Sequence, residues 1–131
     1  LMKWVLDNKN KEIDGYENCL WNGITTLELA KRVKEIIEFQ NFWTGVRHYY
    51  NPITVSKYEL CNLINEIYNL NISIRKIKAT QIEGTKINGI LDRSLASRYN
   101  NWISNKIPSI EKQIKELYEF EGKQSQRVGS T

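Results

Sequence analysis

Residues 55–77 read VSKYELCNLINEIYNLNISIRKI, and two different periodicities meet inside them. Ser56 with Glu59 has the spacing of a capping box, which satisfies free amides at the start of a helix, and Val55 with Leu60 brackets it as a hydrophobic staple. Leu60, Ile64, Ile67 and Tyr68 then recur along one apolar stripe at helical spacing. After Asn69 the period changes. Ile72 and Ile74 alternate with Ser73 and Arg75, the pattern of a half-buried strand. A helix followed at once by such a strand needs an earlier strand to pair with. GVRHYY, residues 45–50, has high strand propensity and stops at Asn51-Pro52, where proline lacks the amide hydrogen of a ladder. Strand, helix and strand in close order predict an α/β fold: a right-handed strand-helix-strand crossover with short parallel strands.

Working outward, ITTLELAKRVKEIIEF (24–39) repeats the same design. Thr25 and Glu28 form the box, and Ile24 and Leu29 form the staple. Leu29, Ala30, Val33, Ile36 and Ile37 make a stripe expected to face inward, with Lys31, Lys34 and Glu38 toward water. EIDGY (12–16) reads as a third short strand, and residues 79–89, of mixed polarity with two glycines, as a loop. A third main helix is expected from Ser109 to about Phe120 with Ile110, Ile114, Leu117 and Tyr118 inward. Residues 1–122 then form one domain and 123–131 a flexible tail. Leu1, Met2, Val5 and Leu6 already follow helical spacing without a capping residue before them, so the chain is expected to be cut from something longer.

His48, the only histidine, stands beside Tyr49, a tempting pair for proton transfer. In a strand the two side chains point to opposite faces, and the local sequence supplies no acid or nucleophile on the histidine's face. His48 is therefore read as a packing residue of the sheet, and no catalytic residue is assigned.

Composition narrows the function classes. The 131 residues are 40% hydrophobic and 26% charged, as in a globular domain, and the net charge of +4 comes from bases scattered among acids. Without a run of five or more basic residues a nucleic-acid partner is not expected. Cys19 and Cys61 are far apart and outside any Cys-x-x-Cys pattern, and with a single histidine no metal site is expected; buried thiols favour a reducing cytoplasm. No apolar run approaches eighteen residues, so no membrane partner is expected either.

The order of WNGITTLELAK (21–31), TGVRHYYNPITVSKYELCNLINEIYNLNI (44–72) and DRSL (92–95) resembles the C-terminal half of the extended short-chain dehydrogenase/reductases. The resemblance is greatest to the dTDP-4-dehydrorhamnose reductase family of nucleotide-sugar reductases, and it covers about Ile13 to Phe120. It implies the substrate-binding part of a Rossmann-type enzyme that takes NAD or NADP. The glycine-rich turn that cradles the cofactor pyrophosphate is absent, and so is the family's Tyr-x-x-x-Lys, since no tyrosine is followed four residues later by lysine. The resemblance thus implies no cofactor in this chain, NAD or NADP in the parent enzyme, and a missing Rossmann domain as partner. It also implies that residues 45–50, deprived of their neighbour strand, are hidden by self-association, by exchange between copies or by rearrangement of the first residues over them.

The same resemblance places WNGITT beside the nucleotide-sugar cleft, with Trp21, Asn22, Thr25 and Thr26 as substrate-binding candidates. Trp21 either stacks on a base or sugar or fills the core, and the threonines already have a role as caps. Arg93 of DRS resembles the arginine near the substrate diphosphate, which suits a guanidinium fork; alternatively it pairs with Asp92 or Glu83. Ser94 stands where many family members have proline. The leading expectation is the nucleotide-sugar-binding part of an NAD(P)-dependent reductase, inactive alone. An epimerase or 4,6-dehydratase of the same superfamily and a noncatalytic protein-association module remain beside it.

Overall fold

A computed structural model describes residues 1–40, 42–44, 48–82, 85–86, 89–95 and 107–129. In chain order the elements are α1 (Met2–Asp7), β1 (Glu12–Tyr16), β2 (Cys19–Trp21), α2 (Thr26–Phe39), β3 (Val55–Ser56), α3 (Lys57–Tyr68), β4 (Ser73–Ile77), β5 (Gln81–Ile82), β6 (Thr85–Lys86), β7 (Leu91–Asp92) and α4 (Ile110–Gly129). The fold is mixed α/β with short parallel strands, as the sequence predicts. The chain divides into two compact units: Leu1–Asn22 with Ile53–Ser94, and Gly23–Pro52 with Leu95–Thr131.

The first unit is built on α3. Ser56 Oγ accepts the Glu59 amide hydrogen at 3.1 Å, so the helix starts where the capping signal stands. It stops at Asn69, whose left-handed backbone (φ 52°) lets its amide reach back to the last turn. The buried side of α3, Leu60, Cys61 and Ile64, packs on β1 and β4, which contribute Ile13 and, just before β4, Ile72; Val5 of α1 is buried in the same unit. β1 and β4 run parallel, with Ile13 opposite Ile74 and Gly15 opposite Lys76. Gly15 is required there. A β-carbon would lie 2.8 Å from Ile74 Cγ2, 2.8 Å from Tyr58 Cδ2 and 3.1 Å from the Tyr58 α-carbon, so any side chain would push α3 off the sheet. The Asn65 carboxamide binds both the carbonyl and the amide of Ile72, at 3.1 and 2.9 Å, and so fixes the turn that delivers the chain into β4.

A second sheet of three strands has β2 in the middle, antiparallel to β3 and parallel to β7. Several expectations change here. β4 finds its parallel partner in β1. Of the expected partner, residues 45–50, 45–47 lie outside the described residues, while His48–Tyr50 are in neither strand nor helix and His48 is exposed. High propensity alone does not make His48–Tyr50 a strand. Residues 79–89, expected as a loop, contain the antiparallel pair β5–β6, with Ile82 opposite Thr85. Trp21 and Val55 also pair in a sheet that two- and three-residue strands are too short to announce in a sequence.

In the second unit, α2 begins as expected. Thr25 Oγ1 accepts the Glu28 amide hydrogen at 3.1 Å. Its orientation is the reverse of the expected one. Leu29, Val33 and Ile37 are 44%, 45% and 60% exposed, whereas Glu28 is 3% and Arg32 9% exposed. Arg32 Nε donates to Glu28 Oε1 at 3.0 Å and Nη1 to Glu35 Oε2 at 3.3 Å, which makes burial of the charged face tolerable. The reciprocal half of the capping box is also displaced: the Thr25 amide donates to Gln113 Oε1 of α4 at 3.0 Å, leaving the Glu28 carboxylate to Arg32. Lys31 and Glu116 add an ion pair between the same two helices. On α4, Ile110 and Ile114 are buried as expected, but Tyr118 is 48% exposed and Gln113 is 1% exposed in its place. The helix also continues past Phe120 to Gly129, because Lys123, Gln124 and Gln126 favour helix and the single Gly122 does not end it.

The inverted face of α2 gives a direct expectation. Arg32→Ala should lower unfolding stability by roughly 3 kcal/mol or more, since it leaves the Glu28 carboxylate buried without its cation. Val33→Glu should stay within about 0.5 kcal/mol of the parent chain. Denaturant midpoints measured at constant m-value check this, and the opposite ranking would mean that the apolar stripe faces a core.

Candidate functional site

The first unit gathers its chemistry at the end of the β3–β2–β7 sheet. β2 pairs parallel with β7 so that Leu20 is opposite Asp92. Just past β7 the Arg93 amide donates to the Leu20 carbonyl at 3.0 Å, which holds Arg93 against the strand that ends at Trp21. Residues chosen from separate sequence patterns thus fall on the same backbone pairing, Arg93 bonding to the residue before Trp21. Trp21 is half-buried and Arg93 exposed. Among the described residues Arg93 enters no ion pair.

The proposed pairing of Arg93 with Asp92 gives way to a turn. Asp92 Oδ1 accepts the Ser94 amide hydrogen at 2.9 Å, closing a tight loop around Arg93, and hydrogen bonds from Ser94 hold the Asp92 carboxyl below its ordinary value. Serine at 94 supplies the amide that proline lacks, so the departure from the family pattern is what lets this turn form. Glu83, the other candidate partner, lies outside the described residues.

Beneath the turn lies a residue that the sequence reading missed. Asn18 is 7% exposed, between β1 and β2, and its Nδ2 donates to the carbonyls of Ala79 and Gly89, both at 2.8 Å. Its Oδ1 accepts the Ala79 amide at 2.8 Å. Nothing in Glu17-Asn18-Cys19 marks it, because the partners lie more than sixty positions away.

The other candidates are placed as follows. Asn22 is buried and already engaged within the protein. Thr25 is half-buried and caps α2, and Thr26 is the exposed first residue of that helix. Gln113, also missed, fixes the Thr25 amide through Oε1 and donates through Nε2 to the Pro108 carbonyl at 2.8 Å. A groove of about 380 Å³ in the second unit includes Glu28, Glu35 and Glu116 against Lys31, Arg32 and Lys112. Its charges cancel in sign and largely pair with one another, so it offers no field for an anion. Cys19 and Cys61 are free and buried as expected, and burial pushes the Cys61 thiol up, away from reactivity. Among the described residues there is no group of three or more metal-ligating side chains, and no helix is long and apolar enough to cross a membrane.

No protein-family model matches the chain, and no curated protein does. Solved structures do. The fold is that of a part of Rossmann-type reductases. It is similar to a dTDP-4-dehydrorhamnose reductase from Clostridium acetobutylicum, with a TM-score of 0.67 and 13% identity over 92% of this chain and 42% of that one. The dTDP-4-dehydrorhamnose reductase of Bacillus anthracis in complex with NADP gives 0.65 at 13% identity, over 89% of this chain and 41% of that one. The GDP-mannoheptose C4 reductase of Campylobacter jejuni with NADP bound gives 0.55 at 15% identity, over 86% and 35%. The chain therefore spans about two fifths of the length of the dTDP-4-dehydrorhamnose reductases it resembles.

A cofactor such as NADP does not fit the described residues of this chain. A pyrophosphate cradle needs a glycine-rich turn between a strand and a helix, yet β2 leads to α2 through Asn22-Gly23-Ile24-Thr25 with a single glycine, β3 passes directly into α3 through Ser56, and Gly89 leads into β7 and not into a helix.

The turn at Asp92 is open to titration. Because the folded pKa is depressed, its contribution is complete above the ordinary value of 3.8 and is lost as pH falls through the lower folded value. The Ser94 amide resonance should therefore titrate with a midpoint below 3.8. A midpoint at or above that value would show that Asp92 does not hold the turn.

Proposed function

We propose that residues 1–122 are the nucleotide-sugar-binding portion of an NAD(P)-dependent reductase similar to the dTDP-4-dehydrorhamnose reductases, and that this chain is inactive without the Rossmann domain. One observation carries the reading: in a fold shared with such reductases over nine tenths of the chain, an exposed arginine without an ion pair among the described residues bonds through its amide to the Leu20 carbonyl, one residue before a half-buried tryptophan. A guanidinium fork matches a diphosphate, and an indole face matches a base or a sugar ring. Asn22, Thr25 and Thr26 are kept as candidate contacts from the resemblance alone, Asn22 being engaged within the protein and Thr25 capping α2. NAD or NADP is held by the parent enzyme, which acts in the cytoplasm. Residues 45–50 are the stretch through which copies associate when the parent's sheet is absent.

Calorimetric titration of the full chain with dTDP, UDP and GDP tests this, with a random oligonucleotide as the competing class. At least one nucleotide should bind saturably, and Arg93→Gln should weaken it about tenfold or more, because a charge-assisted hydrogen bond contributes roughly 1.5–3 kcal/mol. Equal affinity for the oligonucleotide, or an Arg93→Gln chain that binds as tightly as the parent, would overturn the reading.

A further inference from the structure

β7 is two residues long, and a ladder of that length does not by itself hold a loop in place. The segment Gly89–Ser94 is nevertheless fastened at both ends. At its exit the Asp92 carboxylate takes the Ser94 amide; at its entry everything converges on Asn18. The Asn18 backbone carbonyl accepts the Leu91 amide at 2.8 Å, while its side chain takes the Gly89 carbonyl and both backbone groups of Ala79. Two donors and one acceptor of a single buried carboxamide are thus used on two segments that follow β4 and precede β7. Gly89 presents its carbonyl from φ +85°, a conformation that side-chain-bearing residues rarely adopt, and its Cβ position faces open space.

The residue type is fixed by this arrangement. An aspartate would keep the acceptor but set a carboxylate against two carbonyl oxygens, and serine or glutamine would miss the partners by length. We propose that Asn18 is the positioning residue of the arginine site: its carboxamide locks Gly89–Arg93 onto β2 and so sets how the Arg93 guanidinium meets a diphosphate. This rests on the reading of Arg93 as a diphosphate contact.

The test uses the full chain and two readouts. Amide hydrogen exchange is followed at Leu91 and Arg93, with Ile64 in the α3 core as control, and dTDP and GDP are titrated into the same samples. In Asn18→Asp, exchange at Leu91 and Arg93 should rise at least about tenfold with Ile64 unchanged, and nucleotide affinity should fall about tenfold. In an Arg93→Gln background the same change should cost no further affinity, a non-additivity that a general loss of stability does not produce. Gly89→Ala, which withdraws the carbonyl through the backbone and meets nothing within 4 Å, should reproduce the loss and decides the matter if Asn18→Asp does not fold. Unchanged exchange at Leu91 and Arg93, or an affinity loss in the Arg93→Gln background equal to that in the parent, overturns the proposal. If the parent chain binds neither nucleotide, the reading of Arg93 fails, and Asn18 is judged by the two amides alone.

Discussion

A buried carboxamide must find partners for two donors and an acceptor or weaken the fold, and in the first unit Asn18 meets that demand by binding backbone at Ala79 and Gly89. Much follows from it. β1 and β2 are consecutive strands that enter different sheets, and Asn18 sits at the point where they part. By joining the chain that leaves β4 to the chain that enters β7, it ties the β1–β4 pair to the β3–β2–β7 sheet. The bond from the Arg93 amide to the Leu20 carbonyl depends on that tie, because β7 has only two ladder residues of its own.

What the sequence made legible was local. Thr25 and Ser56 cap α2 and α3 because a hydroxyl three residues before a glutamate amide is a short-range arrangement that needs nothing else. Ile72 and Ile74 alternate against Ser73 and Arg75 because one side of β4 packs on α3, and the pleat alone dictates that pattern. Pairing was not legible. β4 joins β1 across a sequence gap that holds two helices, and the stretch of highest strand propensity, where it is described, forms no strand.

The helix α2 shows why a periodic stripe is not yet a direction. Leu29, Val33 and Ile37 do share a face, as their spacing requires, but spacing says nothing of what that face meets. The opposite face is committed by Glu28, Arg32 and Lys31 to one another and to α4, and by the Thr25 amide to Gln113. At the candidate site the division is the same. Trp21 and Arg93 were named as candidates from motif order, while Asn18, Gln113 and the Asp92–Ser94 turn depend on partners that are distant in sequence or fixed only by backbone geometry.

The proposed nucleotide-diphosphate surface at β2 and β7 is probed most directly by residue-resolved magnetic resonance of the isotope-labelled chain during addition of dTDP and GDP. Saturable shifts are expected of the Trp21 indole and of the Trp21, Arg93 and Ser94 amides, with Lys115 on the exposed side of α4 unmoved. Shifts confined to residues 26–38 of α2, or no saturable shift at Trp21 and Arg93 with either nucleotide, would contradict it.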